Sequence, residues 1–391
     1  MSAVPFPPSG SFIESVRESA RKARTENQIS ITDESIHRLL TSPAFTQSFA
    51  RVSKLHGLSM PLNFSSPLAE LNVLAILSLL NFGSGYRVPL HEATGRGAWD
   101  SIRALVLSMY ITDEGLLTAR GMQTADVGKV AELMRVNIHV EKPHESIPGV
   151  TVGELGGPMY ELTTLITGVL NETGDILVAA GYPDLGTFVA QALELANDAE
   201  AILERASQHR ICGGFLVRAI PAFRDMALVN GHPIYCFKKA LFLINGIRVR
   251  FGAASSSPFP IPPSTSHLPI FSDNVIPSLL IHLGVIDLST SPILQGVFSD
   301  SHSEKKIASL LETSDVSSRQ GLTRGPKLTA EQSFVLRAAA IDACEMIVAA
   351  AESVALGITL SDLDAWVWQI AKDRDDYRQL ERFAEKGTIF F

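Results

Sequence analysis

Two ionisable side chains stand out because each lies beside an aromatic residue in an otherwise apolar stretch of the sequence. Lys238 directly follows Phe237, and Asp273 comes two residues after Phe271. Burying a lone charge is costly, so residues in such surroundings are usually paired, neutralised or used in chemistry. The sequence therefore makes Lys238 and Asp273 the first candidates for a functional site.

Asp273 also has a purely structural interpretation. Ser272, Asp273 or Asn274 could cap the helix that follows, because Pro277 falls within its first turn. On the residues alone we favour this capping interpretation.

A further charged pair, Arg224 and Asp225, follows Phe223. Taken by itself, an aromatic residue beside two opposite charges is typical of a solvated ion pair at the surface. The pattern alone therefore gives Asp225 no chemical role.

Composition indicates a large core and an acidic surface. The chain has 391 residues, of which 46% are hydrophobic, enough for one large domain or two to three smaller ones. Its formal net charge of −8 repels a phosphate backbone, which disfavours long nucleic acids as partners. A small nucleotide could still be held by one local cationic pocket.

The cysteines and the apolar runs indicate the compartment. Cys212, Cys236 and Cys344 are far apart, which fits neither a disulfide framework nor a zinc site and favours a reducing environment. The first residues lack the pattern of a secretory signal, and the run around 68–80 is too short to span a bilayer. We therefore expect a soluble protein in the cytoplasm, with the nucleus also open, and no membrane partner.

The elements that must position these residues are helical, because almost every strong apolar pattern has a period near 3.6 residues. The predicted fold class is all-α, or nearly so. We expect a disordered N-terminus over residues 1–11 and a single helical domain over residues 12–391. The stretches 253–269 and 300–327 are too rich in polar, Ser and Pro residues for the core and are predicted to be exposed insertions.

Several short pieces of the sequence occur in a particular order. They are Leu170-Asn171-Glu172-Thr173-Gly174, Pro221-x-Phe223-Arg224-Asp225, Phe237-Lys238-Lys239-Ala240, Phe271-Ser272-Asp273 with His282-Leu283-Gly284, and Leu363-Asp364-x-x-x-Trp368. The ordered set resembles the queuosine salvage family, whose members hydrolyse the N-glycosidic bond of queuosine 5′-monophosphate. Asn81-Phe82 extends the resemblance upstream.

The resemblance implies an all-helical fold similar to that of DNA glycosylases and a small nucleotide as the partner. It assigns the catalytic carboxylate to Asp273 and an active-site cation to Lys238, and it implies no metal or redox cofactor. The aromatic side chains could stack on the base, although each could equally belong to the core. The residues expected to bind the substrate are Asn81, Phe82, Phe237, Phe271, Trp368 and Asp225.

The chain also departs from the family pattern. Asn274-Val275 stands where the family has Tyr-x-Arg-like residues, Gln369 replaces an Asp, and Gly83-Ser84-Gly85 replaces an aromatic-rich piece. The basic C-terminal piece of the family is replaced by residues 384–387. These departures keep two alternatives to the enzyme open, a nucleotide- or base-binding protein without catalysis and a helical scaffold. The oligomeric state is not indicated.

Overall fold

The computed structural model describes residues 4–53, 57–112, 115–196, 198–204, 216–253, 257–298, 300–301, 303–313, 321–353 and 355–391. Cys212 and parts of both predicted insertions, 254–256 and 314–320, lie outside the described residues. Helix accounts for 57% and strand for 6%, so the prediction of a nearly all-helical protein is confirmed.

The helices of the first half are α1 (Phe12–Glu26), α2 (Asp33–Thr41), α3 (Pro43–Thr46), α4 (Phe49–Val52), α5 (Pro67–Leu79), α6 (Arg87–Thr94), α7 (Ala98–Thr112), α8 (Ala119–Gln123), α9 (Val127–Met134), α10 (Gly157–Ala180) and α11 (Leu185–Leu195). Those of the second half are α12 (Ala199–Glu204), α13 (Leu216–Ala219), α14 (Lys238–Phe251), α15 (Val275–His282), α16 (Glu304–Leu311), α17 (Ala330–Ser353), α18 (Leu360–Asp373) and α19 (Asp375–Gln379).

Two antiparallel hairpins interrupt the helices. Strands β1 (His139–Pro143) and β2 (Thr151–Leu155) form the first, in a stretch expected to be loop. Strands β3 (Met226–Val229) and β4 (His232–Tyr235) form the second. The second hairpin turns at Asn230 and Gly231, both with positive φ, as a type I′ turn requires. The Asn-Gly pair was a sequence signal for this hairpin.

The chain folds into two compact units, each built from separated segments of the sequence. Apart from the gaps named above, unit 1 takes Met1–Asn63, Ala196–Arg205 and Arg224–Glu385. Unit 2 takes Phe64–Leu195, Ala206–Phe223 and Lys386–Phe391. The chain therefore passes repeatedly from one unit to the other.

In unit 1, α17 is the central helix. It contacts α1, α2, α15 and α18 as well as the β3–β4 hairpin. Side chains on all of its faces are buried, among them Ala338, Ala339 and Ala343. Such small residues let neighbouring helices approach closely, which explains how one helix can contact so many elements.

In unit 2, the sequence piece around Asn171 has a structural role. The Asn171 side-chain amide donates to the backbone carbonyls of Met122, Gln123 and Ala125, each at 3.0 Å, at the end of α8. A Cβ on Gly174 would lie 2.3 Å from the backbone nitrogen of Gln123, so only glycine fits where α10 meets α8. This piece fastens α8 to α10.

The C-terminal residue and the N-terminal segment from residue 4 onward are each held by contacts. Phe391 is fully buried, and its carbonyl accepts from the Gly83 N–H at 3.1 Å. Within residues 4–11, the Tyr235 hydroxyl donates to the Pro5 carbonyl at 2.9 Å and the Gly10 N–H donates to Glu204. Disorder over residues 1–11 stays a prediction.

The described parts of the two predicted insertions are not simply exposed. Residues 257–269 contain no helix or strand, but Leu268 is buried and the buried Thr265 hydroxyl donates to the Asn245 side chain at 2.9 Å. In the second insertion, α16 buries Ile307 and Leu310. Scattered apolar residues thus anchor segments whose average composition is polar.

Within the described ranges, no single helix is long and apolar enough to cross a membrane. Two bent pairs, Pro67–Leu79 with Ser84–Thr94 and Gly157–Ala180 with Leu185–Leu195, satisfy the criteria of length and composition only when each pair is taken together.

His282 is a buried titratable group at the end of α15. Its Nε2 lies 3.0 Å from the Glu381 carbonyl, and its ring meets Phe298 edge-on at 5.4 Å. Its Nδ1 is buried and has no hydrogen-bond partner among the described residues. Burial lowers the pKa of His282 to about 4, although the bond to Glu381 opposes the shift. The ring is therefore neutral in the folded protein.

Acidification should destabilise the fold through His282. Because the folded pKa lies below the unfolded one, the unfolded state takes up the proton first as the pH falls below about 6.5. Between pH 7 and 5 the unfolding free energy of the wild type should fall about 2 kcal/mol more than that of His282→Gln, measured by urea denaturation. His37→Gln, at an exposed position on α2, is the control. Equal losses in wild type and His282→Gln would contradict the prediction.

Candidate functional site

A fully buried ion pair links the start of the β3–β4 hairpin to α17. Arg337 donates from Nη1 and Nη2 to the two oxygens of Asp225, at 2.8 and 2.5 Å. Both side chains are inaccessible to solvent. Burial is the largest influence on the pKa of Arg337 and lowers it, but the charge and hydrogen bonds of Asp225, together with Cys236 and Glu385, raise it above its usual value, so the guanidinium stays charged.

Arg337 and Asp225 also connect the two candidate segments. The Arg337 Nε donates to the Ser272 carbonyl at 2.9 Å, one residue before Asp273. The Asp225 Oδ2 accepts from the backbone N–H of Lys238 at 3.1 Å. One ion pair thus holds the backbone beside both candidate residues.

Lys238 is the first residue of α14 and is 4% exposed. Burial lowers its pKa to about 8, and the charge of Asp273 opposes that shift most strongly. Arg337 lowers the pKa further, whereas Asp225 and Asp364 raise it. The amine therefore stays mostly protonated at neutral pH, within electrostatic range of three carboxylates.

Asp273 is 7% exposed and lies just before α15. Its Oδ1 accepts from the backbone N–H groups of Val275 and Ile276, at 2.6 and 3.3 Å. The helix boundary puts Asn274, which forms no side-chain cap, at the N-cap, but the bonds to Val275 and Ile276 are those of a capping carboxylate one residue earlier, so Asp273 supplies the cap. Among the described residues no hydrogen bond reaches its other oxygen, Oδ2. The bonds to Oδ1 fix the orientation of the carboxylate.

Asp364 on α18 is a buried carboxyl of the same cluster. Its Oδ1 accepts from the Phe271 N–H at 2.8 Å. Burial raises the pKa of Asp364 to about 7, and the charge of Asp273 raises it as well. The hydrogen bond from Phe271 and the charge of Lys238 both lower this pKa. Asp364 can therefore gain or lose a proton near neutral pH.

Two more cations belong to these surroundings. Lys239 is fully buried, and burial together with the charge of Lys238 holds its pKa well below the usual range. Burial lowers the pKa of Arg382 to about 10, with Asp273 opposing the shift. Arg382 also donates to the Ala371 carbonyl at 2.8 Å. Positive side chains thus lie around Asp273 from α14 and from the segment after α19.

The structure brings Lys238 and Asp273 into one cluster, together with Phe271, whose ring meets Phe242 edge-on at 5.8 Å. Trp368 is half-buried on α18, one turn beyond Asp364, which puts both side chains on one face of that helix. The Lys372 amine lies 3.5 Å from the centre of the Trp368 ring. Contact of Trp368 with a base stays a prediction.

The other predicted substrate contacts are placed differently. Asp225 is bound to Arg337, so the solvated pair with Arg224 predicted from the sequence is wrong. Phe237 is fully buried and stacked, which is the core role weighed against base stacking. Asn81 and Phe82 belong to unit 2, and their position at the rim of the site stays a prediction.

Sequence reasoning missed Arg337 and gave Asp364 and Arg382 no role. A signal existed for Arg337, because a single charge in the apolar run Phe334–Cys344 must find a partner when the helix is buried on all sides. Asp364 was part of a recognised motif, but its raised pKa depends on burial against Asp273 and Lys238. No pattern within α18 could reveal those neighbours.

A separate groove in unit 1 contains none of the predicted site residues. It lies between α2 and α16, where Arg38 pairs with Glu304 at 2.8 Å. Across the part of the chain that the structure describes, no group of three or more His, Cys, Asp or Glu residues could hold a metal ion. The buried cluster around Asp273 is therefore the stronger candidate site.

Breaking the buried ion pair should destabilise the whole protein. Arg337→Met leaves Asp225 buried without its cation, and such a loss typically costs about 3–5 kcal/mol. The matched control is Arg51→Met, because Arg51 pairs with Asp373 at 2.6 Å while 58% exposed. The control should cost at most about 1 kcal/mol by chemical denaturation. Similar losses of unfolding free energy in the two variants would show that the buried pair contributes no more to stability than the exposed pair.

The family model for the queuosine salvage protein matches residues 161–302. A search of curated proteins found no match. The matched segment contains Asp225, Lys238 and Asp273, whereas Asp364 and Trp368 lie outside it. The resemblance drawn from the sequence motifs is thereby confirmed for this segment: residues 161–302 match the model of the queuosine salvage protein family.

Proposed function

We propose that the protein hydrolyses the N-glycosidic bond of queuosine 5′-monophosphate, releasing queuine and ribose 5-phosphate. The family, which includes hydrolases, supports this reaction class. The observation that carries the proposal is the arrangement of Asp273, whose Oδ1 is fixed by two backbone N–H groups while Oδ2 has no hydrogen bond from any described residue. A carboxylate oriented in this way is prepared for a reacting group.

Asp273 would act on the sugar. As the C1′–N bond breaks, positive charge develops on the ribose, and a fixed carboxylate beside it stabilises that charge. The water that attacks C1′ gives its hydroxyl to the sugar and a proton to the same carboxylate, and that proton then passes to the nitrogen released from C1′, so the products are a ribose hydroxyl and the neutral free base. A 7-deazapurine has no N7 to protonate, which increases the demand on this stabilisation.

Lys238 would supply the positive charge of the site. Because Asp273 raises the pKa of Lys238, the carboxylate favours the protonated form of the amine. The same ammonium could also attract the 5′-phosphate of the substrate. Both roles require the protonated amine.

Asp364 would adjust the charge of the cluster. With a pKa of about 7, it is partly ionised at neutral pH, and its ionised form raises the pKa of Lys238. The charge on Asp364 therefore extends, with the larger effects of Asp273 and Asp225, the pH range over which Lys238 remains a cation.

The second candidate is a nucleotide- or base-binding protein without catalysis. The bonds from Val275 and Ile276 favour it, because capping α15 explains Asp273 with no reaction at all. The substitutions at Asn274, Val275 and Gln369 relative to the family pattern favour it as well. The two candidates differ in one outcome, the release of free base.

Asp273→Asn should separate catalysis from folding and binding. Asparagine keeps an acceptor for the two capping N–H groups but removes the charge. Turnover of queuosine 5′-monophosphate, followed by mass spectrometry of released queuine, should fall by about 10²–10⁴-fold. The nucleotide should still raise the melting temperature of the variant.

The control is Asp126→Asn, because Asp126 caps α9 through the Lys129 N–H at 2.9 Å without belonging to the cluster. Its turnover should match the wild type. Turnover of Asp273→Asn at the wild-type level would remove Asp273 from the mechanism. A wild-type protein that is stabilised by the nucleotide but releases no queuine would establish the binding protein instead.

The pH dependence of turnover should report on Lys238. Its pKa of about 8 predicts that kcat declines above pH 8 as the ammonium loses its proton. Asp364→Asn removes a negative charge that raises this pKa, so the decline should begin at lower pH. The measurement is kcat from pH 6 to 10 for both proteins. A decline at the same pH in both would contradict the coupling.

A further inference from the structure

The N-terminal helix contacts the residue that precedes Lys238, although it lies outside the part of the chain that the family model matches. The Phe12 ring stacks on Phe237 with centroids 5.8 Å apart and an angle of 27°. Tyr235 stacks on Phe237 at 5.6 Å and 26°. Phe237 therefore packs against two aromatic rings, one contributed by α1 and one by β4.

Phe237, which packs between these two rings, adopts an unusual backbone conformation. Its φ of +44° lies in the left-handed region, which bulky side chains rarely adopt unless their surroundings enforce it. The conformation turns the chain from β4 into α14 and thereby directs Lys238. The bond from the Lys238 N–H to the Asp225 Oδ2 depends on the same turn.

Phe12 is itself fixed by contacts from another element. The N-cap residue Ser11 forms no side-chain cap with any described residue, and Glu200 of α12 replaces it by accepting from the N–H groups of Phe12 and Ile13. A carboxylate at this end also offsets the dipole of α1. The start of α1 is thus anchored independently of Phe237.

We propose that Phe12 is a positioning residue for Lys238, acting through Phe237 and the left-handed turn before α14. Its effect on catalysis rests on the proposed function, whereas its effect on the Lys238 amine does not. The N-terminal segment is then a part of the site that the matched family segment does not contain.

The pKa of the Lys238 amine is the quantity that tests this proposal. The charged groups that act on it are Asp273, Arg337, Asp225, Asp364 and Lys239. Burial is the largest influence on its pKa and lowers it. Loss of the Phe12 ring should let the turn relax and water reach the amine, so the pKa should rise toward the ordinary value of lysine.

The experiment is an NMR titration of the full chain carrying isotope-labelled lysine, with the Lys238 signal identified by its loss in Lys238→Met. Phe12→Ala should raise the pKa of Lys238 by about one pH unit or more. The control is Phe251→Ala, because Phe251 lies at the far end of the same helix and meets Phe259 edge-on at 5.5 Å. The control should leave the pKa of Lys238 unchanged.

Phe12→Ala should also lower kcat by about tenfold with little change in KM, whereas Phe251→Ala should leave kcat near the wild-type value. If Phe12→Ala does not fold, the same titration is carried out on Phe12→Leu. Equal pKa values of Lys238 in the Phe12 variant, Phe251→Ala and the wild type would overturn the proposal. A shifted pKa in a protein whose wild type releases no base would support the positioning role while refuting the proposed reaction.

Discussion

The site depends on the ion pair between Asp225 and Arg337. Two opposite charges inside a protein must be held together, because either charge alone would be strongly unfavourable there. Each partner is also tied to backbone, Asp225 to the start of α14 and Arg337 to the Ser272 carbonyl beside Asp273. The electrostatic requirement of one pair thereby fixes the relative positions of two segments that are far apart in sequence.

Around this pair, each candidate group has a structural role in the fold. Each group also has a property that a reaction could use, either a carboxylate oxygen without a hydrogen bond or a pKa near neutral pH. Asp273 caps α15 with one oxygen, while its other oxygen receives no hydrogen bond from the described residues. Asp364 accepts from the Phe271 N–H, yet burial raises its pKa to about 7. Lys238 begins a helix, and burial lowers its pKa to about 8. Capping and catalysis are therefore compatible roles for the same carboxylate.

The matched family segment and the structural site do not coincide. The segment from residue 161 to 302 contains Lys238 and Asp273, but Arg337 and Asp364 come from α17 and α18, which follow it. The aromatic support of Phe237 comes from α1, which precedes it. A local sequence match therefore identifies the candidate reacting groups while leaving out residues that orient them and set their charge.

The sequence alone determined the helical class, the main helices and the two central candidates, because apolar periodicity and charges in apolar surroundings are local signals. It also identified the capping role of Asp273, since the turn and Pro277 are adjacent in the chain. Only the tertiary structure decided the partner of Asp225 and the raised pKa of Asp364, because burial and charge proximity depend on residues far away in the sequence. Electrostatic energies depend on distance in space, and a linear sequence does not contain those distances.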